Sequence, residues 1–194
     1  MVGVWRYAIY CGRFQPPHGG HLASVRYALS VAEVVCIGVR ETARSIKDPL
    51  TVEEMVEAWR RLLEAEGLAD RVVMRPVPDF DKGWGLPGED KVVLKGHPLL
   101  DWARRVEEIF GSSPDRDVFV GNKPPMVLAF NLLGYPVIPG HRNAHRLINV
   151  SATELRAMIL RGDPRWMGVL PKPVAEYLAE LGIERRLREL ARLP

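Results

Sequence analysis

No apolar run in this chain approaches the roughly 20 residues that a bilayer span requires. The first residues carry no basic-then-apolar leader pattern. Both absences predict a cytoplasmic protein with no membrane partner. Cysteine is nearly absent: Cys11 and Cys36 are the only two, they lack C-x-x-C spacing, and both fall in apolar runs. They read as small buried hydrophobes in a reducing compartment. Glutamine is rarer still, with Gln15 the only one. Together with arginine far ahead of lysine, that bias fits a thermophilic source and equally a GC-rich codon usage. Net charge is only +3 over 194 residues, although the pI is near 9.0. So small an excess favours a local cluster of cations around an acidic ligand over a nucleic-acid-binding face.

What is present is an alternation of apolar and amphipathic runs. Strands are predicted at Val4–Tyr10, Glu33–Val39, Arg71–Val77, Asp117–Val120 and Pro136–Ile138. Helices are predicted at His21–Ala32, Val52–Glu66, Leu99–Phe110 and Pro124–Leu133, with Thr51 and Glu54 forming a capping-box start for the second. This order predicts an α/β fold, a Rossmann-like doubly wound parallel sheet that binds ligands at the carboxyl ends of its strands. Three further helical segments, Ser151–Arg161, Lys172–Leu181 and Glu184–Leu190, follow without a strand between them. The length suits one domain, 1–194, with 151–194 as a C-terminal helical flank. Segment 79–98, rich in Gly, Pro and charge, reads as an inserted loop.

The richest stretch is Gly12-Arg13-Phe14-Gln15-Pro16-Pro17-His18-Gly19-Gly20-His21. It joins the first strand to the first helix. Its glycines let backbone approach a ligand closely, and a helix N-terminus offers unpaired N–H groups to an anion. His18 and His21 lie on one face of the first helical turn and can both reach that anion. The stretch has neither the lysine of a P-loop nor the spacing of G-x-G-x-x-G.

These residues are similar to the H-x-G-H signature of the nucleotidyltransferase superfamily, most closely to the archaeal nicotinamide-mononucleotide adenylyltransferases. Val150-Ser151-Ala152-Thr153-Glu154-Leu155-Arg156 resembles that family's second signature, I-S-x-T-x-x-R. The resemblance also covers Lys47-Asp48-Pro49-Leu50-Thr51, Val120-Gly121-Asn122, Gly134-Tyr135 and Val169-Leu170-Pro171-Lys172, and departs from the family in the 79–98 insertion. It implies adenylyl transfer from ATP to nicotinamide mononucleotide (NMN), giving NAD and pyrophosphate. Mg²⁺ or another divalent cation would be held through the ATP phosphates rather than by protein ligands. His18, His21 and Arg156 would be catalytic. Gly12, Arg13, Phe14, Gln15, Gly20, Gly121, Asn122, Ser151 and Thr153 would bind ATP. Lys47, Trp102 and Arg44 would bind the acceptor, Trp102 by stacking on the nicotinamide, a role for which Trp84 in the insertion competes. A homo-oligomer is implied as well.

Other readings remain open. The two signatures bind ATP, so they fit equally an enzyme whose acceptor is phosphopantetheine, a flavin nucleotide or a sugar or alcohol phosphate. A non-catalytic nucleotide sensor would use the same fold, with Glu184-Arg185-Arg186-Leu187-Arg188 as a nucleic-acid contact; the glutamates interleaved there dilute its charge. Zinc held by His18, His21, His141 and His145 is allowed by spacing alone.

Overall fold

The computed structural model describes residues 5–79, 98–140 and 151–192. Five strands form one parallel sheet in the order β3-β2-β1-β4-β5: β1 Trp5–Gly12, β2 Ala32–Arg40, β3 Val72–Val77, β4 Asp117–Val120 and β5 Val137–Ile138. The order runs outward from β1 in both directions, so the expected Rossmann-like pattern is present. It reverses between β1 and β4, and β1 ends at Gly12 on that carboxyl edge. Helices are α1 Gly19–Leu29, α2 Val52–Ala65, α3 Pro98–Phe110, α4 Pro124–Leu132, α5 Ala152–Leu160, α6 Trp166–Val169, α7 Lys172–Glu180 and α8 Ile183–Leu190. The first helix begins two residues earlier than expected, since Gly19 and Gly20 join it, and Ala32 opens β2 instead of closing α1. The short α6 was not foreseen, because four residues give no periodicity to read.

Contacts divide the described residues into two compact units, one drawn from 1–12, 25–41 and 71–140, the other from 13–24, 42–70 and 141–194. The first holds the sheet. Every residue of β4 is buried, as a strand covered on both faces requires. Its core is aromatic: Phe119 stacks on Phe130 at 3.9 Å, and Trp102 and Tyr135 meet Phe130 edge-on. Asp117, fully buried, accepts from Arg6 Nη2 at 2.7 Å, from Arg6 Nε at 3.1 Å, from Tyr7 N at 3.0 Å and from Ser113 N at 2.7 Å. That full set of donors is what lets a carboxylate sit in the interior. Both cysteines are buried in strands, and burial pushes the Cys36 thiol up to about 12. It stays a thiol at neutral pH.

The second unit is helical. Thr51 and Glu54 make the expected capping box at the start of α2. Glu54 Oε2 also accepts from Arg186 Nη1 of α8 at 2.7 Å, with Arg44 Nη2 at 3.6 Å. Arg61 of α2 lies over the Tyr177 ring of α7 at 4.3 Å and pairs with Glu180 at 2.9 Å. Such cross-helix arginines fix how the C-terminal helices pack on α2. Among the described residues no helix is long and apolar enough to cross a membrane.

Two outcomes are expected. A Cβ on Gly38 would stand 2.5 Å from Cys11 Sγ and 3.0 Å from Val77 Cγ1. Gly38→Ala should therefore cost about 1–3 kcal/mol in urea denaturation, with part of it recovered in the Gly38→Ala/Cys11→Ala double variant. Burial raises the Glu54 pKa, but the hydrogen bonds from Arg186 and the Thr51 N–H and the nearby Arg44 outweigh it, leaving it below the ordinary 4.5. The stabilisation is thus complete above the ordinary carboxylate range and is lost as pH falls through the depressed folded value. Glu54→Gln, which keeps the cap, should cost about 1–2 kcal/mol near neutrality and almost nothing near pH 3; an equal loss at both pH values would contradict the linkage.

Candidate active site

The sequence after Gly12 folds back on itself through its own polar groups. His18 is the N-cap of α1: its Nδ1 accepts from the Gly20 N–H at 3.1 Å, and the His18 N–H in turn donates to His21 Nδ1 at 3.3 Å. This is the reciprocal geometry of a capping box, built from two imidazoles instead of a hydroxyl and a carboxylate. The rings stack at 3.7 Å with 24° between their planes. Because each Nδ1 is an acceptor, the proton of each neutral ring sits on Nε2. Any contact of these two side chains with an anion would run through Nε2–H. The Gly20 N–H, which the sequence reading offers to ATP, is already committed to His18.

Phe14 holds the turn. Its φ of 51° places a bulky residue in the left-handed region, at a cost of about 1–2 kcal/mol. Burial offsets that cost, since Phe14 is 4% exposed and meets His21 edge-on at 5.0 Å and Trp59 of α2 edge-on at 5.3 Å. The ring of Phe14, a residue expected to bind ATP, packs against the His21 imidazole and braces it. Gln15 is likewise spoken for: Nε2 donates to Leu50 O and Oε1 accepts from Leu50 N, each at 3.0 Å. Its side chain mimics a strand partner and ties the turn to the Lys47–Leu50 segment.

The two signatures meet. Arg156 Nη1, on α5, donates to the Gln15 carbonyl at 2.9 Å, and its Nη2 lies 3.4 Å from Thr153 Oγ1. Burial lowers the Arg156 pKa from 12.5, Asp48 raises it and Arg13 lowers it further, so three charges share one neighbourhood. Arg13 Nη1 lies 3.5 Å from Asp48 Oδ2. Ser151 caps α5 by accepting from the Glu154 N–H at 3.2 Å, while its own N–H goes to Glu154 Oε2 at 2.7 Å. Both the Ser151 hydroxyl and its N–H serve this cap. Together, Arg13, His18, His21 and Arg156 present two guanidinium groups and two imidazole N–H donors on one helical unit, a donor set for a polyphosphate.

Residues 9–158, which span both signatures, match the cytidylyltransferase-like family. The chain belongs to that family. Nicotinamide-nucleotide adenylyltransferase of Ignicoccus hospitalis is 34% identical over 191 residues, covering 95% of this chain and 98% of its own. The enzyme of the same name from Pyrobaculum aerophilum is 33% identical, covering 93% of this chain and 92% of its own. In fold, the chain is similar to a bifunctional NMN adenylyltransferase/ADP-ribose pyrophosphatase from Francisella tularensis, solved in complex with AMP and a Mn ion. The TM-score is 0.68 at 20% identity over 96% of this chain, which spans about half (52%) of that one.

The other residues expected at the site lie as follows. Lys47 and Arg44 are exposed, Lys47 in a turn closed by Ser45 N to Asp48 O at 3.0 Å and Asp48 N to Ser45 O at 3.1 Å. Gly121 and Asn122 follow β4 in the sheet unit. A Cβ on Gly121 would stand 2.5 Å from Phe119 Cε1, and Asn122 Nδ2 donates to Gly140 O at 3.0 Å. Trp102 is 1% exposed and its indole N–H donates to Pro78 O at 2.8 Å, the core-packed position rather than an open stacking face. Trp84, His141 and His145, and most of the 79–98 insertion, lie outside the described residues. Sequence reasoning passed over Asp48 and Trp59. The first is an acid that turns out buried beside two arginines; the second gave only the signal of an apolar helix position.

The double role of His18 can be separated. His18→Ala should lose about 1 kcal/mol of stability through the cap, together with most of the turnover. His18→Asn, which can accept from Gly20 N–H but offers no Nε2–H, should recover the stability and not the turnover. Recovery of both would leave His18 as a cap alone.

Proposed function

We propose that this chain transfers the adenylyl group of ATP to NMN, giving NAD and pyrophosphate. The observation that carries the reading is the meeting of the two signatures at the Arg156–Gln15 hydrogen bond, in a chain at least 30% identical to archaeal nicotinamide-nucleotide adenylyltransferases along nearly its whole length. A phosphate oxygen of NMN attacks the α-phosphorus of ATP in line; the bond from that phosphorus to the bridging oxygen breaks, and pyrophosphate leaves with the electron pair. The acceptor is already an anion, so no protein nucleophile or general base is required. The demand on the protein is to bring two polyanions together and to stabilise charge on the leaving group.

His18 and His21 act through their Nε2–H groups on the α- and β-phosphates. Arg156, anchored by Nη1 and half-buried, presents its planar fork to the pyrophosphate end. Arg13 takes part from the turn beside them. Arg44 and Lys47 are assigned to NMN; the resemblance assigns Trp102 to NMN as well, although its ring is buried in the sheet unit. Gly12, Gly20, Gly121, Asn122 and Thr153 are assigned to ATP by the family resemblance alone. The donor set is cationic and N–H-rich, and among the described residues no three His, Cys, Asp or Glu side chains are grouped to hold a metal. A divalent cation such as Mg²⁺ would be carried by the ATP phosphates and supply charge neutralisation there. The same reading makes the protein a cytoplasmic homo-oligomer.

The test is pyrophosphate release from ATP and Mg²⁺ with a panel of acceptors: NMN, phosphopantetheine, a flavin nucleotide, and sugar and alcohol phosphates. NMN should be preferred, and a tenfold advantage for another acceptor would overturn the assignment. His21→Ala should lower kcat by about 100-fold or more with a smaller change in KM for NMN, since its partner gains charge in the transition state.

A further inference from the structure

One acid stands among the cations of the site. Asp48 is 7% exposed; its Oδ2 lies 3.5 Å from Arg13 Nη1 and 3.4 Å from Ser45 Oγ, and Ser45 Oγ also accepts from the Asp48 N–H at 3.2 Å. Its Oδ1 is buried and has no hydrogen-bond partner among the described residues. The Asp48 charge also reaches Arg156. For binding a polyphosphate, such a carboxylate is a liability, because it repels the ligand and occupies a guanidinium the ligand needs. A half-satisfied buried carboxylate is also costly to keep. Both costs make sense if the acid acts on the arginines. In the empty site it neutralises two like charges that would otherwise repel. In the loaded site it competes with phosphate for Arg13.

We propose that Asp48 is a positioning residue that works through Arg13 and Arg156 as a counter-anion: it holds the arginines while the site is empty, yields Arg13 to the polyphosphate, and draws it back as pyrophosphate leaves. Its consequence is a weakened grip on the product. The proposal rests on the adenylyl-transfer reading, because only a reaction that releases a diphosphate needs that weakening.

The experiment titrates inorganic pyrophosphate into the full-length wild type and Asp48→Asn by calorimetry, with and without Mg²⁺, and measures ATP kinetics on both. Asp48→Asn should bind pyrophosphate about 3- to 30-fold more tightly in both conditions, the scale of removing one neighbouring charge at intermediate screening. Both kcat and KM for ATP should fall together, because slow product release limits turnover. A merely structural aspartate would give weaker binding and a raised KM, and unchanged affinity would show no electrostatic role; either result overturns the proposal. Weakening confined to the Mg²⁺ titration would make Oδ1 a metal contact instead, and also overturns it. Should Asp48→Asn not fold, the wild type still decides: arginine side-chain ¹⁵N signals of Arg13 and Arg156, assigned through Arg13→Lys and Arg156→Lys, must both move on adding pyrophosphate, and a stationary Arg13 signal is fatal. A wild type that makes no NAD from NMN removes the functional reading alone, since the pyrophosphate affinities are measured without turnover.

Discussion

Everything in the helical unit converges on the pair of hydrogen bonds that closes the start of α1, Gly20 N–H to His18 Nδ1 and His18 N–H to His21 Nδ1. An imidazole has two nitrogens with opposite roles, and committing one as acceptor commits the other as donor. The backbone amides therefore choose the tautomer, and the tautomer determines that both rings present N–H to an anion. A serine–glutamate capping box would close the helix equally well and offer a carboxylate where phosphate must sit. With two imidazoles, the residues that close the turn are also the ones proposed to meet the phosphates.

That arrangement is supported from three directions by unrelated parts of the chain. Phe14, held at a left-handed φ, braces His21 from below with Trp59 behind it. Gln15 is clamped by both backbone atoms of Leu50. Arg156 arrives from α5, far along the sequence, to take the Gln15 carbonyl. The Gln15 and Arg156 contacts satisfy polar groups that would otherwise be left without partners, so the loss of either strands the other end. Residues of the signature thus carry the fold of the turn as well as its place in the site.

Much of this was legible in the sequence because the relevant signals are local. The parallel α/β architecture followed from alternation, the α2 capping box from Thr51 and Glu54, and the pairing of the two ATP signatures from a family resemblance. The roles assigned within the first signature were less legible. Phe14, Gln15 and Gly20 are expected ATP contacts, and each also holds a contact within the fold: a ring from α2, a backbone from the segment after β2, and an imidazole two residues back. Sequence shows that a residue belongs to a motif. It does not show whether that residue touches the ligand or holds the one that does, because the distinction depends on long-range partners. Trp102 illustrates the same limit from the sheet unit, where an indole at a suitable spacing is found hydrogen-bonded to Pro78 and packed on Phe130.

The balance of charge follows from the same division. Nucleotide transfer between two phosphates leaves the protein little to do but cancel repulsion, and cations alone would do that best for binding. Turnover sets a different requirement, since the product pyrophosphate carries its charge to the same arginines that drew in the triphosphate. A site built only of Arg13, Arg156 and two imidazoles would hold that product too well. A buried carboxylate in contact with one arginine and in the field of the other lowers affinity for every anion by a similar factor. It does so without touching the imidazole donors that distinguish the transition state from the ground state. Weak binding and strong transition-state stabilisation can then coexist, because they are carried by different residues of one cluster.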